Sequence, residues 1–161
     1  PLGGSSGARL DLWSSAAAML RDHPLLGVGL DQFYHLRNQA PSSPYLSPAA
    51  AATSERFASH PHNVVLDLLL RIGPLGLVVV AFLVARFFNH ARYVIRHGSG
   101  DERALAVGLV AAMVAALVHG LVDNFYFVPD LAIVFWLHLA LVDLLRGRVT
   151  AASATSSQPD A

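Results

Sequence analysis

The sequence predicts an all-α membrane protein in which three transmembrane helices follow a long loop region that carries an amphipathic helix. Two observations support this. Hydrophobic residues make up 54% of the 161 residues and the mean hydropathy is +0.49, well above what a water-soluble domain needs. The apolar residues are also gathered into three blocks after Asn63, while the residues before it are mixed and loop-rich.

Before the blocks, Leu10, Trp13, Ala17 and Leu20 recur at helical spacing among charged residues, which predicts an amphipathic helix over residues 8–22. It is too short and too charged to span, so it is expected at the membrane interface, with Trp13 at the headgroup level and Pro24 marking its end. Gly27-Val28-Gly29 allows tight turns or close backbone approach. No strand precedes it and no third glycine follows, so a dinucleotide fold is excluded. Residues 40–59, with Pro41, Pro44 and Pro48, read as a mobile loop.

The first apolar block, 64–88, is long enough to cross a hydrocarbon core of about 30 Å, although Gly73-Pro74 interrupts it. Two further spans are expected at 104–122 and 127–145, joined by a turn around Asp123-Asn124 that allows only antiparallel neighbours. The expected division is therefore 1–63 as an outward-facing loop region, 64–148 as three transmembrane helices and 149–161 as a disordered cytoplasmic tail. Pro1 opens a segment with none of the features of a signal peptide, so the chain is expected to be the end of a longer polytopic protein.

Orientation follows from arginine placement. Arg86, Arg92, Arg96 and Arg103 cluster about the first short loop, and Arg146 and Arg148 follow the third span, which makes those sides cytoplasmic. Residues 1–63 and the Asp123 turn then face the periplasm of a bacterium. All eleven basic residues are arginine and they balance eleven acidic ones, so no net field draws nucleic acid. The absence of cysteine excludes disulfides, thiolate metal sites and thiol nucleophiles.

The residues suited to chemistry centre on His60-Pro61-His62-Asn63, where the loop meets a helix. Asn63 is a good N-cap, and the positive end of the helix dipole disfavours imidazolium, which suits His62 to accepting a proton; the same end favours a bound phosphate. The alternative is a pair of interfacial loop histidines. A metal is disfavoured, because no third ligand sits at a convincing spacing nearby. Arg71, about 12 Å into the helix, shares a face with Asp67, either as an ion pair lining a wet cavity or as a diphosphate contact. His119 and Asp123 are expected at the same membrane level as His62, either completing its site or hydrogen-bonding between helices, the latter being also the expectation for His138 in the third span. Arg37 and Arg56 read as solvated loop charges.

The run His62-Asn63, nine residues, Gly73, two residues, Gly76 resembles the signature of the O-antigen ligase and polymerase superfamily. Arg9, Trp13 and the stretch from Asp22 to Gly29 with Phe33 are similar to the start of that family's large periplasmic loop. His119 to Asp123, Pro129 and Phe135-Trp136 resemble its last two helices. The resemblance implies part of a larger GT-C-like polytopic fold in the bacterial inner membrane. It also implies a metal-independent, inverting glycosyltransferase that needs no cofactor and uses a polyprenyl-diphosphate-linked glycan as donor. The acceptor is then lipid A-core for a ligase, another lipid-linked glycan for a polymerase, or a serine or threonine for a protein O-oligosaccharyltransferase.

In that chemistry a neutral imidazole removes the proton of a sugar hydroxyl, which His62 supplies, and a guanidinium holds the departing diphosphate. Arg9 matches the family's loop arginine, and Asn63, Arg71, Asp67, His60, His119 and Asp123 are the expected substrate-binding residues. Arg71 and Pro74 depart from the family's pattern. The rival reading is a transporter or membrane scaffold, which needs its polar residues near the midplane. Here most lie near the outer end, which favours transfer.

Overall fold

A computed structural model describes residues 5–39, 43–52, 54–123 and 129–156. Among these the regular structure is helical: α1 (Ser5–Asp22), α2 (Gln32–Arg37), α3 (Pro48–Ala51), a 3₁₀ turn (Ser54–Phe57), α4 (Val64–His97), α5 (Gly100–Gly120) and α6 (Pro129–Ser156). The chain divides into two compact units, Pro1–Val80 with Val118–Phe127, and Ala81–Leu117 with Val128–Ala161. Pro41, the residues after Asp123 and before Pro129, and those after Ser156 lie outside the described residues.

In the first unit α1 ends before Pro24, as expected, but the face it buries differs from the predicted stripe. Leu12, Ala16 and Met19 are buried against Phe33 and Leu70, while Leu10 and Ala17 are exposed. Apolar residues at many phases make the periodicity of this helix ambiguous, and packing against α2 and α4 selects one of them. Part of the expected mobile loop is also ordered. Ser47 accepts the Ala50 amide and Pro48 takes the first helical position, so this Ser-Pro pair starts α3 rather than breaking structure. Arg37 is a further correction: it is fully buried, pairs with Asp11 at 3.3 Å and lies over the Phe33 ring. Arg56 is exposed, as read.

Helix α4 is interrupted where the sequence places Gly73-Pro74. Gly73 has φ 68° and ψ −173°, outside the helical region. Proline has no N–H, so the Leu70 carbonyl four residues earlier loses its helical donor. The loop supplies two instead: Val28 N and Gly29 N donate to Leu70 O at 2.6 and 3.1 Å. Gly27 is required for this approach, since a Cβ there would lie 2.2 Å from the Leu70 oxygen, and Gly27 too has a positive φ of 67°. The interruption and the Gly-x-Gly turn are thus two halves of one join.

In the second unit the buried side chains recur at helical spacing: Phe87, Ala91 and Val94 on α4, Ala106, Leu109 and Met113 on α5, and Val142 and Leu145 on α6. Alanines at these positions let backbones come close. Helix α5 begins with a capping box, in which Ser99 N donates to Glu102 Oε2 and Glu102 N to Ser99 Oγ, four residues before the predicted start of the span. Asp143 of α6 accepts from Arg86 and His90 of α4, and Arg146 donates to the other ring nitrogen of His90.

Helix α6 runs to Ser156, so the first part of the expected disordered tail is helical. The Thr150, Ser153 and Thr155 hydroxyls each donate to the carbonyl four residues back, and the alanines between them favour helix. Among the described residues two helices, α4 and α5, are long and apolar enough to cross a membrane. Less than a third of the apolar window of each is buried, unlike the core helix of a soluble protein, and Leu75, Val78 and Phe82 turn outward. At about 1.5 Å per residue the 21 residues of α5 measure roughly 31 Å, the thickness of a hydrocarbon core.

Candidate active site

The site forms within the first unit, where the start of α4 meets the end of α5. Asn63 caps α4 as predicted: its Oδ1 accepts the amides of Val65 and Leu66, each at 3.0 Å. Its amide nitrogen donates to Leu121 O at 2.8 Å, which fastens the cap to the turn after α5. Gly120 lets the helices approach, since a Cβ there would meet Val64 Cγ1 at 3.0 Å. One asparagine therefore starts one helix and holds the turn that follows another.

His62 precedes the cap with φ 50°, a left-handed conformation uncommon for a residue with a side chain. Its Nδ1 lies 2.9 Å from Asp123 Oδ1. A carboxylate only accepts, so Nδ1–H is the donor and Nε2 keeps its lone pair. His60 Nε2 is 4.0 Å from the same oxygen and His119 Nε2 is 3.9 Å from the other, while the rings of His60 and His62 stand 4.4 Å apart. The structure thus brings His60, His62, His119 and Asp123 together. Burial lowers the pKa of His60, and the neighbouring His62 and Arg71 lower it further against the opposing charges of Asp67 and Asp123.

Trp13 holds this segment in place. Its indole N–H donates to the carbonyl of the buried Pro61 at 3.0 Å, 48 residues away in sequence. Sequence reading assigned Trp13 to the headgroup level and missed this role, and no local signal marks it.

Arg9, about one turn before the middle of α1, lines an open pocket of about 260 Å³ with Leu10, Trp13 and Val122. Trp13 and Val122 adjoin the histidine segment and Asp123 respectively, so the pocket borders the same site. Among the described residues no carboxylate lies within ion-pair reach of Arg9. Arg71 differs: its Nε donates to the buried Asp67 at 2.7 Å and its Nη1 to Asp31 at 2.6 Å. Asp31 thereby ties α4 to the turn ahead of α2, and the ion pair of Arg71 with Asp67 weighed from the sequence is present.

A chemical capacity follows from this arrangement. A histidine oriented by a carboxylate accepts a proton at its free nitrogen, and the carboxylate stabilises the imidazolium as it forms. A guanidinium free of carboxylates beside an open pocket can hold an anion such as a diphosphate.

Among curated proteins none matches the chain. The O-antigen ligase family matches residues 2–81, from before α1 through the interruption of α4, and so includes Arg9, His62, Asn63, Gly73 and Gly76. His119 and Asp123 lie beyond the matched residues, and folding brings them to His62. By this match over residues 2–81, the chain belongs to the O-antigen ligase and polymerase superfamily.

Proposed function

We propose that this chain carries the catalytic face of a membrane glycosyltransferase that moves a polyprenyl-diphosphate-linked glycan onto an acceptor hydroxyl. The observation that carries the reading is the 2.9 Å contact of His62 Nδ1 with Asp123 Oδ1, at the end of α5 and the start of α4. In this mechanism Nε2 of His62 takes the proton of the acceptor hydroxyl as its oxygen attacks the anomeric carbon. The bond to the diphosphate breaks on the opposite face, which inverts the centre. Asp123 steadies the imidazolium, and Arg9 holds the diphosphate oxygens as they gain charge. A positioned base of this kind contributes about 10²- to 10⁴-fold in rate.

The acceptor is lipid A-core in a ligase or a second lipid-linked glycan in a polymerase. Protein serine or threonine would use the same groups. In the proposed topology α4 from Pro74, α5 and α6 cross the bacterial inner membrane, and the histidine segment with the Asp123 turn faces the periplasm. The arginines about the α4–α5 connection and in α6 support that orientation.

The test is complementation. Strains lacking their ligase or their polymerase receive the full-length protein, either unchanged or with His62→Ala or Arg9→Ala, and their lipopolysaccharide ladders are compared. The unchanged protein is expected to restore the ladder in one strain, and both variants to lose it. Ladders unaltered by either substitution would remove the assigned roles.

A further inference from the structure

The geometry points to a Zn²⁺ site formed by His60, His62 and Asp123, in which a bound ion and the proton-accepting role of His62 exclude one another. Spacing alone disfavours a metal here, because a His-x-His pair has no third ligand close by in sequence. Folding supplies one from the end of α5. The ligating atoms of the three residues lie within 4.8 Å of one another.

Tetrahedral zinc, with bonds of about 2.0–2.2 Å, holds its ligand atoms roughly 3.3 Å apart. His62 Nδ1 and His60 Nε2 already stand 2.9 and 4.0 Å from Asp123 Oδ1, so closure on an ion asks for side-chain rotation of about an ångström. The backbone favours it. Residues 58–63 are outside any helix, and the left-handed φ of His62 after Pro61 brings both imidazoles to one side, with ring centroids 4.4 Å apart. Two imidazoles and a carboxylate with an open fourth position are a donor set suited to zinc. His119 Nε2 stands 3.9 Å from the second carboxylate oxygen.

The mutual exclusion rests on His62 as the base. Without metal, Nδ1–H donates to Asp123 and the lone pair on Nε2 accepts the proton of the acceptor hydroxyl. Zinc bound at Nδ1 takes the nitrogen's electron pair, so the neutral ring carries its single proton on Nε2 instead. One proton leaves Nδ1, one is taken up at Nε2, and no acceptor remains for the sugar hydroxyl.

The experiment uses the full-length protein, free of any histidine tag, in nanodiscs. Zinc is titrated against a chromophoric chelator, and glycan transfer is measured in parallel. The expected result is about one ion per chain, with binding weakened at least tenfold in His60→Ala, His60→Gln and Asp123→Asn. Melting temperatures without metal separate loss of a ligand from misfolding. Transfer by the unchanged protein is expected to fall as zinc binds and to return with chelator. A protein that transfers glycan yet binds no zinc, or binds it equally well in all the variants, would overturn the site. Zinc bound by these residues with transfer undiminished would overturn the exclusion. Full activity in His62→Ala would remove the base, and the exclusion with it, while the titration would still decide the metal site.

Discussion

His62 and Asp123 stand 61 residues apart in the chain and 2.9 Å apart in the fold, with an imidazole nitrogen facing a carboxylate oxygen. Asp123→Asn keeps the size of this partner but removes the charge that orients the ring and stabilises imidazolium. Its kcat for transfer is expected to fall toward the about 10²- to 10⁴-fold loss of a missing base, with KM for the glycan donor little changed. Steady-state kinetics on the purified protein check this, and a rate within about twofold of the unchanged protein would detach Asp123 from the chemistry.

Trp13→Phe retains an aromatic ring but removes the N–H that donates to Pro61 O. A hydrogen bond of this kind contributes on the order of 1 kcal/mol, so kcat is expected to drop about fivefold as the histidine segment loosens. KM should move less than kcat if Trp13 is a positioning residue. A change confined to KM would place it instead in the wall of the Arg9 pocket.

Gly27→Ala puts a Cβ within 2.2 Å of the Leu70 oxygen at a positive φ. The backbone conformation alone costs about 1–2 kcal/mol for a residue with a side chain, and the clash adds to it. A melting temperature lowered by several degrees is expected. By contrast Gly108→Ala, inside α5 where a Cβ meets nothing within 4 Å, should not lower the melting temperature, since alanine favours the helix.

Pro74→Ala restores an N–H four residues after Leu70. Removing proline from a helix ordinarily stabilises it. Here the restored amide competes with Val28 and Gly29 for one carbonyl, so the loop is expected to loosen. Hydrogen exchange should report a loss of protection of about fivefold or more at those two amides, the equivalent of one hydrogen bond. Unchanged protection would show that the loop is held by other contacts.

Asp11→Ala removes the carboxylate that pairs with the fully buried Arg37 at 3.3 Å and is expected to cost about 3–5 kcal/mol. Arg37→Met together with Asp11→Leu should recover most of that loss, because the burial then asks for no charge. Thermal melting of the two proteins compares them directly.

The helical architecture was legible in the sequence because apolar blocks and punctuation are local signals. Asn63 as a cap, Gly73-Pro74 as an interruption and Pro24 as the end of α1 each follow from one residue's own conformational chemistry. His119 and Asp123 were expected at the membrane level of His62 from the order of the spans. Partners far apart in the chain were not legible. Nothing near Trp13 announces Pro61, nothing near Arg37 announces burial beside Asp11, and nothing near Leu70 announces that its carbonyl is taken by residues 28 and 29. The phase of α1 was misread because alanine and serine, here buried at Ala16 and Ser15, weigh little in a hydropathy pattern. The Ser99–Glu102 box was available from spacing and would have set the start of α5 correctly.

The seam between Leu70 and the Gly27–Gly29 turn isolates one part of the molecule from changes in another. Because that turn is stitched directly to mid-α4, the register of His62 against Asp123 does not depend on the length of the chain running from α2 to the 3₁₀ turn. Insertions or engineered grafts between Asn38 and Phe57 are therefore expected to leave the contact of His62 with Asp123 in place.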